Sequence, residues 1–215
     1  MKRFLFQCVA VMLLATPLLA ANIVLPPWDW ADPSATFQGW EFMTPDPMPL
    51  PDFGENPYGM LPAEVLPIGP WMPEWMPYAD PAYGDHIFGV GVWPLSGEIF
   101  IPINNVPKPN EQKLIWVQLT WMYQGSDPTT MPPFPIVEEI EWGAPAQIVS
   151  EIQFGPWTHT TYEIVLPFNP DHEVVRIWGD IWVDEVVIDT LCTPEPATMG
   201  LLAVGGVLAL IRRKR

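Results

Sequence analysis

The body of this chain is predicted to be all-β, an antiparallel β-sandwich or barrel. Three observations predict it. Short runs rich in Val, Ile, Trp and Tyr recur from His86 onward, at the roughly 10-residue spacing of sandwiches and barrels. Within Lys113–Tyr123, the odd positions carry Ile115, Val117, Leu119, Trp121 and Tyr123, and the even positions include Gln118 and Thr120. That alternation marks a half-buried strand. Outside the two termini, no stretch of useful length has helical period.

The elements follow in order. Residues 1–21 read as a secretory signal peptide: Lys2 and Arg3, then the 12-residue apolar run Phe4–Ala15, then Pro17 and the small pair Ala20-Ala21. Such a leader is helical and implies the Sec translocon as a partner. Residues 22–81 hold 14 prolines, against 12 in residues 82–193. Proline removes a donor and disfavours helix in the residue before it, so residues 22–81 form an extended Pro/Trp-rich part, with Thr36–Phe42 its best strand. Pro70–Tyr78 (PWMPEWMPY) reads as polyproline-like backbone that straps a sheet or presents Trp71 and Trp75.

Residues 82–193 form the sandwich core. Strands are expected at 86–93, 97–103, 113–123, 135–142, 146–154, 161–166, 173–178 and 181–189, with turns that include Leu95-Ser96 and Gly179-Asp180. Cys192 stands alone in the body, so no internal disulfide is expected. It is expected to have no electropositive neighbour.

Composition excludes one class of partner. The chain carries 25 acids and 9 bases, a formal charge of −16. Six of the bases lie at the two ends. Residues 22–193 keep only Lys108, Lys113 and Arg176 against 24 acids, a formal charge of −21. Nucleic acid needs a Lys/Arg surface and is excluded as a partner.

Residues 194–215 have three parts in order: Pro194-Glu195-Pro196, the 15-residue apolar run Ala197–Ile211, and Arg212-Arg213-Lys214-Arg215. As a helix the run reaches about 22 Å, short of a ~30 Å hydrocarbon core. The four cations would hold its end on the cytoplasmic side. This segment resembles a PEP-CTERM sorting signal, the tag of exosortase substrates. The resemblance implies that an exosortase in the inner membrane recognises Pro194, Glu195 and Pro196 and processes the tail. The membrane would hold the protein transiently, before release to the cell surface or an exopolysaccharide matrix. The body more weakly resembles galactose-binding-like or lectin-like jelly rolls, through TFQGWEF, the ENPYG turn (Glu55–Gly59), KLIWVQLTW and IWVDEVVIDT.

Candidate chemistry is sparse. No serine sits in a Gly-x-Ser-x-Gly elbow, and no phosphate loop follows Gly89-Val90-Gly91. The histidines His86, His159 and His172 lack zinc-site spacing. Asp171, Glu173, Asp180 and Asp184 are the candidate ligands for a structural calcium, against a plain acidic surface; no other cofactor is expected. Glu139, Glu141 and Glu151 are the carboxylates a polysaccharide hydrolase or lyase would need across a cleft. All 12 tryptophans lie in the body. Most supply core area; Trp28, Trp30, Trp71 and Trp75 are the candidates for stacking on sugar rings. The reading is an exported, non-catalytic surface or matrix protein with glycan affinity. The alternatives are a glycan-active enzyme and a self-assembling structural component.

Overall fold

The structure, a computed structural model, describes residues 23–67, 75–77, 91–108, 111–125 and 132–194. The expected signal peptide, Trp71 and the helical tail lie outside the described residues. Among those described, every regular element is a strand. They are β1 (Ala35–Trp40), β2 (Phe53–Glu55), β3 (Glu64–Pro67), β4 (Met76–Pro77), β5 (Gly91–Asn104), β6 (Glu111–Tyr123), β7 (Ile136–Glu139), β8 (Ala144–Pro145), β9 (Gln147–Phe154), β10 (Trp157–Leu166) and β11 (His172–Pro194). The all-β expectation holds, and the pairing is antiparallel throughout.

One strand organises the rest. β11 has 23 residues, several times the usual five or six. Its first half, residues 172–183, pairs with β5, and Val175–Trp178 pairs with β7 on the opposite edge. Its second half pairs with β6 from Ile181 to Pro194 and with β1 from Val186 to Leu191. The handover falls at a register shift between Val183 and Glu185. A bulge there inserts one residue and reverses which side chains face which side. Val175, Ile177, Ile181 and Val183 point into the core before it, and Val186 and Ile188 after it. Without the inserted residue, one half would turn its apolar face outward. From the second half the sheet runs β2-β1-β11-β6-β10-β9.

The core gathers residues from both halves. Trp40, Leu95, Ile99, Ile101, Ile103, Ile115, Val117, Leu119, Ile164 and Leu166 join the β11 residues in one buried cluster. The odd positions of Lys113–Tyr123 that reach this cluster are Ile115, Val117, Leu119 and, partly buried, Trp121, as the alternation requires. A second, small cluster of Trp157 and Trp182, with Met76 and Met122 against it, lies outside this core.

Two expected turns are not turns. Leu95-Ser96 lies within β5, where Leu95 is buried in the core. Gly179-Asp180 lies within β11. A Cβ at Gly179 would sit 2.9 Å from the Phe134 carbonyl oxygen. The glycine therefore marks a close backbone approach rather than a reversal. The Asp180 N–H donates to the Pro132 carbonyl at 2.9 Å, and its own carbonyl accepts from Gln124 N at 3.0 Å. Two further limits moved. The run expected at 135–142 pairs only over Ile136–Glu139, with Glu141 in the following turn, and the strand expected from Thr161 begins at Trp157.

Proline shapes the Pro-rich part and β5. Pro94 and Pro102 sit in β5 beyond its pairings with β4 (at 91–92) and β3 (at 97–100). Those are stretches where one edge has no described partner, which is where sheets tolerate proline. In the Pro/Trp-rich part, β1, β2 and β3 add to the sheet, and the Trp75 indole N–H donates to the Phe42 carbonyl at 2.8 Å. Phe42 is buried with φ of +50°, a left-handed conformation costing a β-carbon residue about 1–2 kcal/mol. Gly91 lets this corner close. A Cβ there would meet the Trp75 indole and lie 2.5 Å from the Phe42 carbonyl. Gly91→Ala is expected to cost about 1–3 kcal/mol of stability, read as a lower urea midpoint with unchanged slope; an unchanged midpoint would show that Trp75 does not hold this corner.

Candidate functional site

The first candidate surface is built by the turn before β1. Asp29 Oδ1 accepts from Ala31 N at 2.9 Å, and Asp32 Oδ1 accepts from Ser34 N at 2.8 Å and Ser34 Oγ at 2.6 Å. Short acids bonding the backbone two residues on are what such turns use. The two Ser34 hydrogen bonds hold the Asp32 carboxyl below its ordinary range. The turn carries Trp30 onto Phe37 of β1, ring centroids 6.1 Å apart and planes 15° from parallel. Trp30, Asp32, Thr36, Phe37, Glu55 and Pro57 line a cleft of about 290 Å³. Trp28 instead packs on Trp116 in a T-shaped pair, ring centroids 6.1 Å apart and planes at 74°. Trp75 packs against the core and bonds Phe42. Of the tryptophans singled out in the sequence, Trp30 lines this cleft and Trp28 and Trp75 do not.

The calcium candidates do not converge. Asp171, Glu173, Asp180 and Asp184 lie on or just before β11; Glu173 and Asp180 are seven residues apart along a strand, about 23 Å. Asp171 is exposed and meets His172 Nδ1 at 3.0 Å. Glu173 is fully buried and pairs with Lys113 Nζ at 3.2 Å. Burial pushes the Glu173 carboxyl up, and the Lys113 charge pulls it back. Among the described residues, no group of three or more His, Cys, Asp or Glu side chains is placed to hold a metal ion.

The glycosidase candidates are separate in kind. Glu139 is buried and accepts from the backbone N–H groups of Glu141, Trp142 and Val174 at 3.0, 2.8 and 3.3 Å. It closes the turn after β7, while Glu141 and Glu151 are exposed.

Cys192 does have an electropositive neighbour. Lys113 Nζ lies 3.7 Å from its Sγ, and Asn169 Oδ1 accepts from the thiol at 3.4 Å. Antiparallel register puts Cys192 opposite Lys113 across β11 and β6, so a contact invisible to sequence spacing arises from pairing. Burial raises the thiol pKa, so this is no activated nucleophile.

The buried polar row behind the core was not anticipated. Glu185 on β11 stands opposite Thr120 on β6, and Thr120 opposite His159 on β10. Burial drops the His159 pKa to about 4, so the ring is neutral at pH 7. Nε2 then donates to Gln118 Oε1 at 3.3 Å, and Nδ1 accepts from the Thr120 hydroxyl at 3.0 Å. Gln118 Oε1 also accepts from Val24 N at 3.0 Å, and the Trp116 indole donates to the Val24 carbonyl at 3.1 Å. The backbone at Val24 thereby lies against this outer face of the sheet. Glu185 is 1% exposed, and among the described residues neither of its carboxyl oxygens has a hydrogen-bond partner. Burial, with Asp184 and Glu41 nearby, raises its pKa to about 9. On the even face of β6 the sequence shows Gln118 and Thr120 as polar; only the covering segments make them buried.

These geometries define an all-β body that runs, without a break, into the C-terminal segment. Residues 193–215 match the PEP-CTERM protein-sorting motif. The chain is therefore an exported protein sorted by an exosortase and transiently anchored in the membrane by its tail. No curated protein and no solved structure matches it. Of the motif, Thr193 and Pro194 are described, at the end of β11; Glu195, Pro196 and the basic residues Arg212–Arg215 lie outside the described residues. Among those described, no helix is long and apolar enough to cross a membrane.

Glu185 makes stability depend on pH in a fixed direction. Its unfolded carboxyl loses its proton near 4.5, and the folded one near 9. Between these values the folded state binds more protons, so this contribution is full below 4.5 and falls as pH rises towards 9. Glu185→Gln is expected to stabilise the protein at pH 8 by at least about 1 kcal/mol and to leave stability at pH 4.5 nearly unchanged. Paired denaturation curves at the two pH values check this; equal stability at pH 8 would refute it.

Proposed function

We propose that the exported body is a non-catalytic surface or matrix protein that binds glycan at the Trp30 cleft. The carrying observation is the pairing of near-parallel aromatic rings, Trp30 on Phe37, in a cleft that Asp32 and Glu55 also line. Aromatic faces take the apolar faces of sugar rings, and carboxylate oxygens accept from their hydroxyls. The strong negative charge of the body favours a neutral glycan over a polyanionic one. A non-catalytic role is supported by Glu139, whose carboxylate is occupied by three backbone amides. A glycan array probed with the tag-free body tests the reading. Binding by the parent is expected, with Trp30→Ala lowering affinity at least about tenfold and Trp75→Phe leaving it unchanged; no binding by a folded parent would end it.

One observation favours the self-assembling alternative. β9 is the end strand of the sheet order, and its Ile148 and Val149 are 63% and 49% exposed. An exposed apolar edge strand is a template for pairing with another copy. If copies assemble, sizing of the tag-free body shifts to larger species with concentration, and Ile148→Lys returns it to monomer. A monomer at all concentrations leaves the glycan reading alone.

A further inference from the structure

Thr193 and Pro194 belong both to β11 and to the matched sorting motif. No spacer separates the folded body from the segment the exosortase must read. The register runs to the end: Cys192 opposite Lys113, Thr193 opposite Gln112, Pro194 opposite Glu111. On the other side, the Ser34 hydroxyl lies 3.0 Å from the Cys192 carbonyl oxygen. Enzymes that read a peptide bind it extended and use its main-chain groups. Here the main chain entering the motif is already paired.

The anchoring is graded. Leu191 and Cys192 are buried, and the Cys192 thiol sits among Lys113, Asn105 and Asn169. Thr193 is half-buried, and Pro194 is exposed and has no N–H to donate to the ladder. Strand ends with little burial open at low free energy, and buried segments do not. Peeling therefore stops at Cys192 and frees Thr193 and Pro194, about 7 Å of chain.

Resting on the exosortase reading of the tail, we infer that the end of β11 must come off β6 before the sorting motif can be processed, with Cys192 as the fixed point of the release. The body's own sheet thus sets the rate at which its sorting signal is offered.

The test locks that end in the full chain, produced in cells that carry the exosortase. Thr193→Cys with Gln112→Cys, in a Cys192→Ser background, joins two cross-strand partners. Antiparallel partners lie about 4.5–5.5 Å apart at Cα, within disulfide range. Tail loss, followed by immunoblot, is expected to slow at least about tenfold in the locked chain. Each single cysteine variant in the same background should keep the background rate. Inserting Gly-Ser-Gly-Ser between Thr193 and Pro194 of the locked chain should restore processing, and the same insertion in the parent should speed it. Equal rates for the Cys192→Ser background and a locked chain whose bridge is confirmed by mass would overturn the inference. If the bridge does not form, the insertion in the parent decides, and an unchanged or slower rate overturns it. Replacing Pro194-Glu195-Pro196 by alanines separates the two claims: tail loss at the parental rate would remove the exosortase reading itself, whatever the strand end does.

Discussion

The constraint on which the structure depends is that one 23-residue strand must serve two sets of neighbours. β11 is paired on both edges along most of its length, first by β5 and β7, then by β6 and β1. Such a strand is screened from water on its edges and largely on its faces, so nearly every residue from Glu173 to Cys192 is buried or half-buried. The bulge at Asp184 lets one chain supply both halves with core-facing residues. It also places Asp184 and Glu185, two acids, in the interior where the strand changes partners. A single-residue insertion thus fixes the core and carries an electrostatic cost.

That cost is distributed by a body with 24 acids and three bases. All three bases are engaged. Lys113 meets Glu173 in the interior, Arg176 bridges Glu98 and Glu138 at 2.6 and 3.0 Å, and Lys108 lies 3.8 Å from Glu111 at the surface. Buried acids left over must find other support. Glu139 takes three backbone amides, and Glu185 keeps its proton. The exported domain therefore carries a buried carboxyl whose own contribution to stability is greatest at low pH, and a surface that repels polyanions.

Much of this was legible in the sequence. The alternation of Lys113–Tyr123 identified β6 and its core side, because a two-residue period has one structural meaning. The tripartite tail was legible because a sorting signal is read as a linear string. Leu95-Ser96 and Gly179-Asp180 were misread because turn composition is only a local preference. In β5 and β11 long-range pairing outweighs it, and Gly179 is needed for its missing Cβ, not for its flexibility. Of the aromatic candidates, Trp30 and Trp75 looked alike in sequence. Pairing with Phe37 took one to a cleft wall, and the Phe42 carbonyl took the other against the core.

The sequence by itself determined the all-β class, the acidic body and the address at the C-terminus, since each follows from composition, local period or a contiguous motif. Only the tertiary structure decided which acids are buried, that Cys192 touches Lys113, and that the sorting motif begins inside a strand. The reason is the range of the interactions. Period and motif act between residues a few positions apart. The environment of a carboxyl or a thiol is set by partners such as Lys113 and Cys192, 79 positions apart in the chain and opposite each other across one ladder.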